Sequence, residues 1–389
     1  VAKSLLCAAA RLASSDVHWH NNKTLKSNYL TQGPKKIEFE KLLSKTCSSK
    51  YSVTFNSATS ALHIACLSLG VGKGDYVWTC TNSFVASANC ALYCQANIDL
   101  VDINLQDFNM CMSDLEKKLI IAKKKKKLPK VIIPIHFGGL PPDLKIINKL
   151  KKKYKFKVIE DASHSIGARY KNSKVGDCSY SDIAVFSFHP VKIITTAEGG
   201  AALTNNKNIY NKLRQLGAHG ITREKKYLTN KKMENWYYEH QMLGYNYRLN
   251  DIQSSLGITQ LKNLQKWIRV RNRIANTYVK KLKDLPISFQ KVGTGIKSAF
   301  HLFVIVLKKN QKTRNELYKY LSARKIMTNV HYIPIHKQPY FKKFKLDPKK
   351  YKNAELYYNN CLSIPMHAGL TEKNQRKVIK NIISFFRQN

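Results

Sequence analysis

Residues 130–168 read KVIIPIHFGGLPPDLKIINKLKKKYKFKVIEDASHSIGA. Two apolar runs, 131–135 and 156–159, flank a segment in which Leu144, Ile146, Ile147 and Leu150 recur at helical spacing. Strand, helix and strand in that order predict a parallel unit with its crossover helix packed on the sheet. The second run closes on Glu160-Asp161, at the carboxyl end of its strand. Open α/β sheets place ligands at that end, which makes Asp161 a candidate site residue. A carboxylate there is also a common helix N-cap, and that is the plainer reading.

Further along, residues 186–200 read FSFHPVKIITTAEGG. Ile183, Ala184, Val185 and Phe186 make a continuous apolar run, the pattern of a buried strand, and Pro190 breaks it. Lys192 follows among apolar and small residues. Desolvation lowers a lysine pKa from its ordinary value of about 10.4, and a neutral amine is what Schiff-base chemistry needs. In a chain with 67 lysines and arginines the competing reading is one more surface lysine. The Asp161 carboxylate suits a protonated pyridine nitrogen, the pairing that makes pyridoxal phosphate an electron sink. Upstream, Phe55-Asn56-Ser57-Ala58-Thr59-Ser60 precedes a helical run through Ala61, Leu62, Ile64, Ala65, Leu67 and Leu69, closed by Gly70. Small and hydroxyl residues at a helix start leave amide groups and the positive dipole end free for a phosphate; an ordinary Ser/Thr cap is the alternative.

FNSATSALH (55–63), EDASHSIGA (160–168), FSFHPVKIITTAEGG (186–200) and LGYNYRLNDIQSSLG (243–257) occur in that order, followed by FVIV (303–306), VHYIPIHKQPYF (330–341) and LSIPMHAGLT (362–371). From about residue 29 to about residue 386 the chain resembles the sugar aminotransferases of the DegT/DnrJ/EryC1/StrS family. The resemblance implies an α/β, aspartate aminotransferase-like (fold type I) architecture dependent on pyridoxal phosphate. It divides the chain into a divergent segment (1–25), a large cofactor-binding domain with a mainly parallel sheet (26–260), and a linking helix with a smaller α+β domain (261–389). It implies that Lys192 joins the cofactor and shuttles a proton, and that Asp161 holds the ring nitrogen. It also implies that Ser57, Ala58, Thr59 and Ser187 take the phosphate, that Phe84 stacks on the ring, and that His164 touches the ring oxygen or face. Phe84 as plain core and Asn246 as a surface turn are the alternatives from the residues themselves. By resemblance, Asn246 reaches the cofactor phosphate of the neighbouring subunit, so a homodimer with shared sites is expected, with Arg248 serving structure at the dimer contact.

Within the family, TQGP (31–34), FNSATSAL, HPVKIITTAEGG and VHYIPIH most resemble the pseudaminic-acid branch. That implies amination of a UDP-linked 4-keto-6-deoxy-N-acetylhexosamine by L-glutamate, for surface glycan synthesis. Perosamine-type and 4-amino-arabinose-type synthases are the alternatives within the family. Phe188, His189, Tyr332 and His336 are the expected sugar contacts. A dehydratase on this fold would carry histidine in place of Lys192.

The remaining composition sets bounds. A chain of 389 residues, 43% hydrophobic, can bury a large core, and two domains are expected. No run approaches 18 apolar residues, so no membrane span is expected. Residues 1–20, VAKSLLCAAARLASSDVHWH, give only a faint secretory pattern, too short and weakly apolar at 5–10. The net charge is +43, which taken alone points to nucleic acid. The lysines are dispersed, however, and no aromatic interleaving accompanies the runs at 123–127, expected in a loop, and 151–153, expected on a helix's outer face. Solvated faces are the expectation, with help in attracting anionic sugar nucleotides as the lesser alternative, and a basic nucleic-acid binder or regulator is the reading from another class. Nine cysteines without CxxC spacing and twelve scattered histidines predict reduced thiols in a cytoplasmic enzyme and no metal. Further strands are expected at 51–55, 76–79, 100–103, 201–204, 301–307 and 329–332, and one long helix at 250–282.

Overall fold

The computed structural model describes residues 22–230 and 232–388; residues 1–21 of the segment read as divergent lie outside them. The main elements of the first part are α1 (Pro34–Cys47), β1 (Tyr51–Phe55), α2 (Ala58–Ser68), β2 (Tyr76–Cys80), α3 (Ala86–Tyr93), β3 (Asn97–Val101), α4 (Met112–Lys124), β4 (Val131–Ile133), α5 (Leu144–Tyr154), β5 (Lys157–Asp161), β6 (Ile183–Ser187), β7 (Gly200–Thr204), α6 (Lys207–Leu216), α7 (Asp251–Lys262) and α8 (Leu264–Leu282).

Seven strands form one sheet in the order β1-β7-β6-β5-β4-β2-β3. The β3-β2-β4-β5-β6 ladder is parallel, and β7 runs antiparallel between β6 and β1. All five residues of β6 are buried, as a parallel strand covered on both faces requires. One face packs Leu62 and Ala65 of α2, Cys90 and Ala91 of α3 and Ile147 and Leu150 of α5. The other packs Phe39 and Leu43 of α1, Ile258 of α7 and Leu264, Trp267 and Ile268 of α8. The TQGP turn is held from a distance: the Gly33 and Lys35 amides donate to the buried Asp251 carboxylate, at 2.8 Å each. A side chain from α7 thus satisfies amides that α1 leaves without intrahelical partners.

The carboxyl-terminal part holds β8 (Ile287–Phe289), β9 (Phe303–Leu307), α9 (Gln311–Ala323), α10 (Lys352–Asn360), β10 (Cys361–Ile364) and α11 (Glu372–Gln388). Its antiparallel sheet, β8-β9-β10, is covered by α9, α11 and the second half of α8. Two contacts pin this part to the large sheet beside the carboxyl end of β2: Ile335 N donates to Thr81 O (2.9 Å) and Tyr332 N to Asn82 Oδ1 (3.1 Å).

Several expectations are corrected. The helix read at 250–282 is two helices, broken at Asn263, whose amide bonds the Gln260 carbonyl three residues back while its side chain donates to Thr259 O. Such local side-chain bonds compete with a continuous helix. The 329–332 stretch makes only an isolated bridge, Asn329 to Ser363. The lysine run at 123–127 is not wholly loop: Lys123 and Lys124 end α4, where the dipole favours cations. Among the described residues no helix is long and apolar enough to cross a membrane.

Candidate active site

A cavity of about 390 Å³ opens at the carboxyl ends of β5 and β6. Six stretches far apart in the chain build its walls: the start of α2, the start of α3, Ile135–His136 after β4, Asp161–His164 at the end of β5, the loop between β6 and β7, and His331–Tyr332 from the carboxyl-terminal part.

Asp161 ends β5, its backbone locked on both sides. Its amide donates to Pro134 O (2.9 Å), and its carbonyl accepts from His136 N (3.0 Å). Ser87 Oγ donates to Oδ2 at 2.6 Å and the Ser163 amide to Oδ1 at 3.2 Å, while Ser83 Oγ lies 2.8 Å from Ser87 Oγ. These contacts orient a buried carboxylate, and an N-cap role is not what they describe.

Lys192 sits in the loop between β6 and β7. Burial lowers its ammonium to about 8, against the opposing pull of the Asp161 carboxylate. Lys192 lines the cavity, half-buried rather than out on the surface. The loop is bolted at its base, with Phe188 N donating to Gly199 O and Thr196 N to Phe188 O, both at 2.9 Å. The lysine amide donates to His189 O at 2.9 Å.

At the start of α2, Ser57 is the N-cap, accepting from Ser60 N at 3.1 Å. Its hydroxyl is engaged in the cap, while the amides of Ala58 and Thr59 belong to the first turn, where a helix has no acceptors of its own. The cap therefore does not rule out an anion at these amides. Ser187, at the end of β6, lines the same space. A Cβ added at Gly200 would lie 2.5 Å from Ala58 N and 2.6 Å from the Ser57 carbonyl, so only glycine lets β7 approach the helix start. Gly200→Ala is expected to lower stability by about 1–3 kcal/mol through this overpacking, read as a fall in Tm by calorimetry.

The cavity's far wall is Tyr332 and His164, with the Tyr332 hydroxyl 3.1 Å from His164 Nε2. His164 also packs on His301, centroids 4.4 Å apart. Burial holds both imidazoles well below the ordinary histidine range and His331 near 4; the charge of Lys192 comes next for His164 and His331, and His164 itself for His301. The wall is neutral beside the lysine. Phe84 lines the mouth, 58% exposed, its ring 6.1 Å from that of Tyr332, so it is not plain core.

Of the sequence-predicted residues, Ser57, Ala58, Thr59, Phe84, Asp161, His164, Ser187, His189, Lys192 and Tyr332 share the cavity. Phe188 does not: it is fully buried against Phe39, ring centroids 5.4 Å apart, on the core side of the loop. His336 does not: it is buried between Thr81 Oγ1 and Glu355 Oε1, 2.7 Å from each. Asn246 is exposed outside the cavity, bridged to Ala218. Sequence analysis did not single out Ser83, Ser163, Glu198, His136 or His331, which also line the cavity. Among the described residues no group of His, Cys, Asp and Glu is arranged to hold a metal ion.

The model of the DegT/DnrJ/EryC1/StrS aminotransferase family matches residues 16–383. The chain belongs to this family. It is 37% identical over 364 residues to the UDP-4-amino-4,6-dideoxy-N-acetyl-beta-L-altrosamine transaminase of Campylobacter jejuni, covering 93% of this chain and 92% of that protein. Among solved structures it is similar to Helicobacter pylori PseC, an aminotransferase involved in pseudoaminic acid biosynthesis, with a TM-score of 0.89 and 30% identity over 97% of this chain and 98% of that one. It is also similar to NtdA of Bacillus subtilis with bound cofactor PMP, with a TM-score of 0.85 and 26% identity over 98% and 85% of the two chains. This DegT/DnrJ/EryC1/StrS protein is an aminotransferase, on the α/β fold that the resemblance implied.

Proposed function

We propose that the protein transfers the amino group of L-glutamate to the keto carbon of a UDP-linked 4-keto-6-deoxy-N-acetylhexosamine, with pyridoxal phosphate as cofactor. The observation that carries this reading is a lysine lowered to about 8 in the same cavity as a buried, doubly hydrogen-bonded aspartate. The donor set fits the cofactor: amides at a helix start for a phosphate, a carboxylate for a ring nitrogen, and an amine that sheds its proton easily. Pyridoxal phosphate supplies an aldehyde for that amine and a ring that draws electrons from the reacting carbon.

The chain's own groups do the rest. The Ala58 and Thr59 amides and the Ser187 hydroxyl take the phosphate. Asp161 keeps a proton on the ring nitrogen, and Phe84 covers the ring. Lys192 Nζ would accept a proton from the reacting carbon and return it two atoms along, on the far side of the shared nitrogen, as base and then acid. Donor and sugar use one cavity in turn. Exposed Asn246, outside its own cavity, supports a homodimer in which it serves the neighbouring subunit's phosphate.

The covalent loading rate of the apoprotein is expected to rise with pH through a midpoint near 8 rather than near 10.5, because only the neutral amine adds to an aldehyde. Stopped-flow absorbance between pH 6 and pH 10 would show it, and a midpoint set by an unperturbed lysine would contradict it. Substrate class is tested by 2-oxoglutarate release with a panel of UDP- and GDP-linked keto sugars. The UDP-linked N-acetyl substrate is expected to lead by at least ~10-fold in kcat/KM; a GDP-linked preference, or no release with any of them, would overturn the reading.

A further inference from the structure

We propose that His189 and Glu198 together form a reader for one sugar hydroxyl close to the carbon that is aminated. The inference rests on the keto-sugar reading above. Both residues line the cavity, and both belong to the loop that carries Lys192. His189 Nε2 and Glu198 Oε1 stand 3.8 Å apart, too far for a direct hydrogen bond and close enough for one oxygen, set to the side of the line joining them, to reach both.

The polarity of the gap is set. His189 Nδ1 accepts a hydrogen bond from the Val191 amide at 3.4 Å, which places a ring proton on Nε2, facing Glu198. The gap therefore offers one donor, Nε2–H, and one acceptor, Oε1. A phosphate or carboxylate brings acceptors only and would be repelled by Glu198. An ammonium brings donors only and would confront Nε2–H. A hydroxyl accepts from the first and donates to the second, and so satisfies both at about 2.8 Å.

The loop backbone beneath the gap is held in place. The Glu198 carbonyl accepts from Thr196 Oγ1 at 2.6 Å and from Gln253 Nε2 of α7 at 2.9 Å. The loop base is closed by the Phe188 bonds, and Thr195 Oγ1 adds a third to Phe188 O at 3.0 Å. The Lys192 amide is tied to His189 O, so reader and amine move as one unit. A site that offers one donor and one acceptor discriminates against a ligand that leaves them unpaired.

The test compares two keto sugars on one nucleotide, alike except that one lacks the hydroxyl beside the keto carbon. The holoenzyme is expected to prefer the hydroxylated sugar by about 100-fold in kcat/KM, less than a fully buried site achieves because both side chains are part exposed. Glu198→Ala and His189→Phe are each expected to cut that preference to below about 5-fold, and Glu198→Gln, which keeps an acceptor, to retain about 10-fold. The preference is a ratio within one protein sample, so partial loss of folded enzyme cancels. A wild-type preference near unity, or a preference of about 100-fold surviving in Glu198→Ala, would overturn this inference alone, with sugar amination intact. No turnover of either sugar by the wild-type holoenzyme would sink the parent reading and this one with it.

Discussion

Lys192→Ala is expected to abolish covalent cofactor attachment and to lower transamination by at least ~10⁴-fold, the upper range for removing a positioned acid–base group. Among the described residues the cavity lining contains no other lysine and no arginine. The nearby imidazoles can accept a proton, but they cannot make the bond to an aldehyde, and burial keeps His164 and His331 neutral. The variant should remain folded. A lysine whose folded pKa lies near 8 and whose unfolded pKa lies near 10.5 penalises the folded state. The unfolded chain binds more protons between those values, so apoprotein stability rises with pH across that window, and the penalty is fully present below pH 8. Removing the side chain lifts the penalty, so the apo variant at pH 7 should melt no lower than the wild-type apoprotein. Calorimetry, absorbance and 2-oxoglutarate release check the three parts separately.

Asp161→Asn is expected to lower turnover by about 10²–10³-fold, the usual loss on deleting a preorganised electrostatic group. The substitution preserves shape, and its amide oxygen can still accept from Ser87 Oγ or the Ser163 amide. What it removes is the negative charge that, on the proposed reading, would hold a proton on the ring nitrogen. Lys192 remains, so the visible band of the loaded protein should persist while turnover collapses, the reverse of the Lys192→Ala pattern. Steady-state assays and spectra on one preparation separate the two cases; a turnover loss below about 10-fold would show that charge at 161 is not what drives the reaction.

The parts of the site that sequence made legible lie at strand ends and helix starts. Lys192 follows a run buried in full, Asp161 closes β5, and Ser57 to Thr59 open α2. Local pattern places these because each sits where a continuous apolar stretch must stop. Ser87 was hidden because its partner Asp161 is 74 residues away and joined only by tertiary packing. His331 reached the cavity through contacts at Thr81 and Asn82 that no local rule anticipates. Phe188 was misplaced because the core continues past the end of β6, and proximity to the lysine in sequence says nothing about which side of the loop a ring occupies. Among the helices, α4 and α6 were missed for one reason. Leu115, Leu119 and Ala122 in α4, and Leu213 and Leu216 in α6, are narrow apolar stripes among lysines and asparagines.

The central claim is a bond between one nitrogen and the cofactor's aldehyde carbon. Borohydride reduction of the loaded protein, followed by peptide mass mapping, tests it directly. The account predicts a single pyridoxyl adduct, on the peptide carrying Lys192; an adduct on any other lysine, or none, would contradict it.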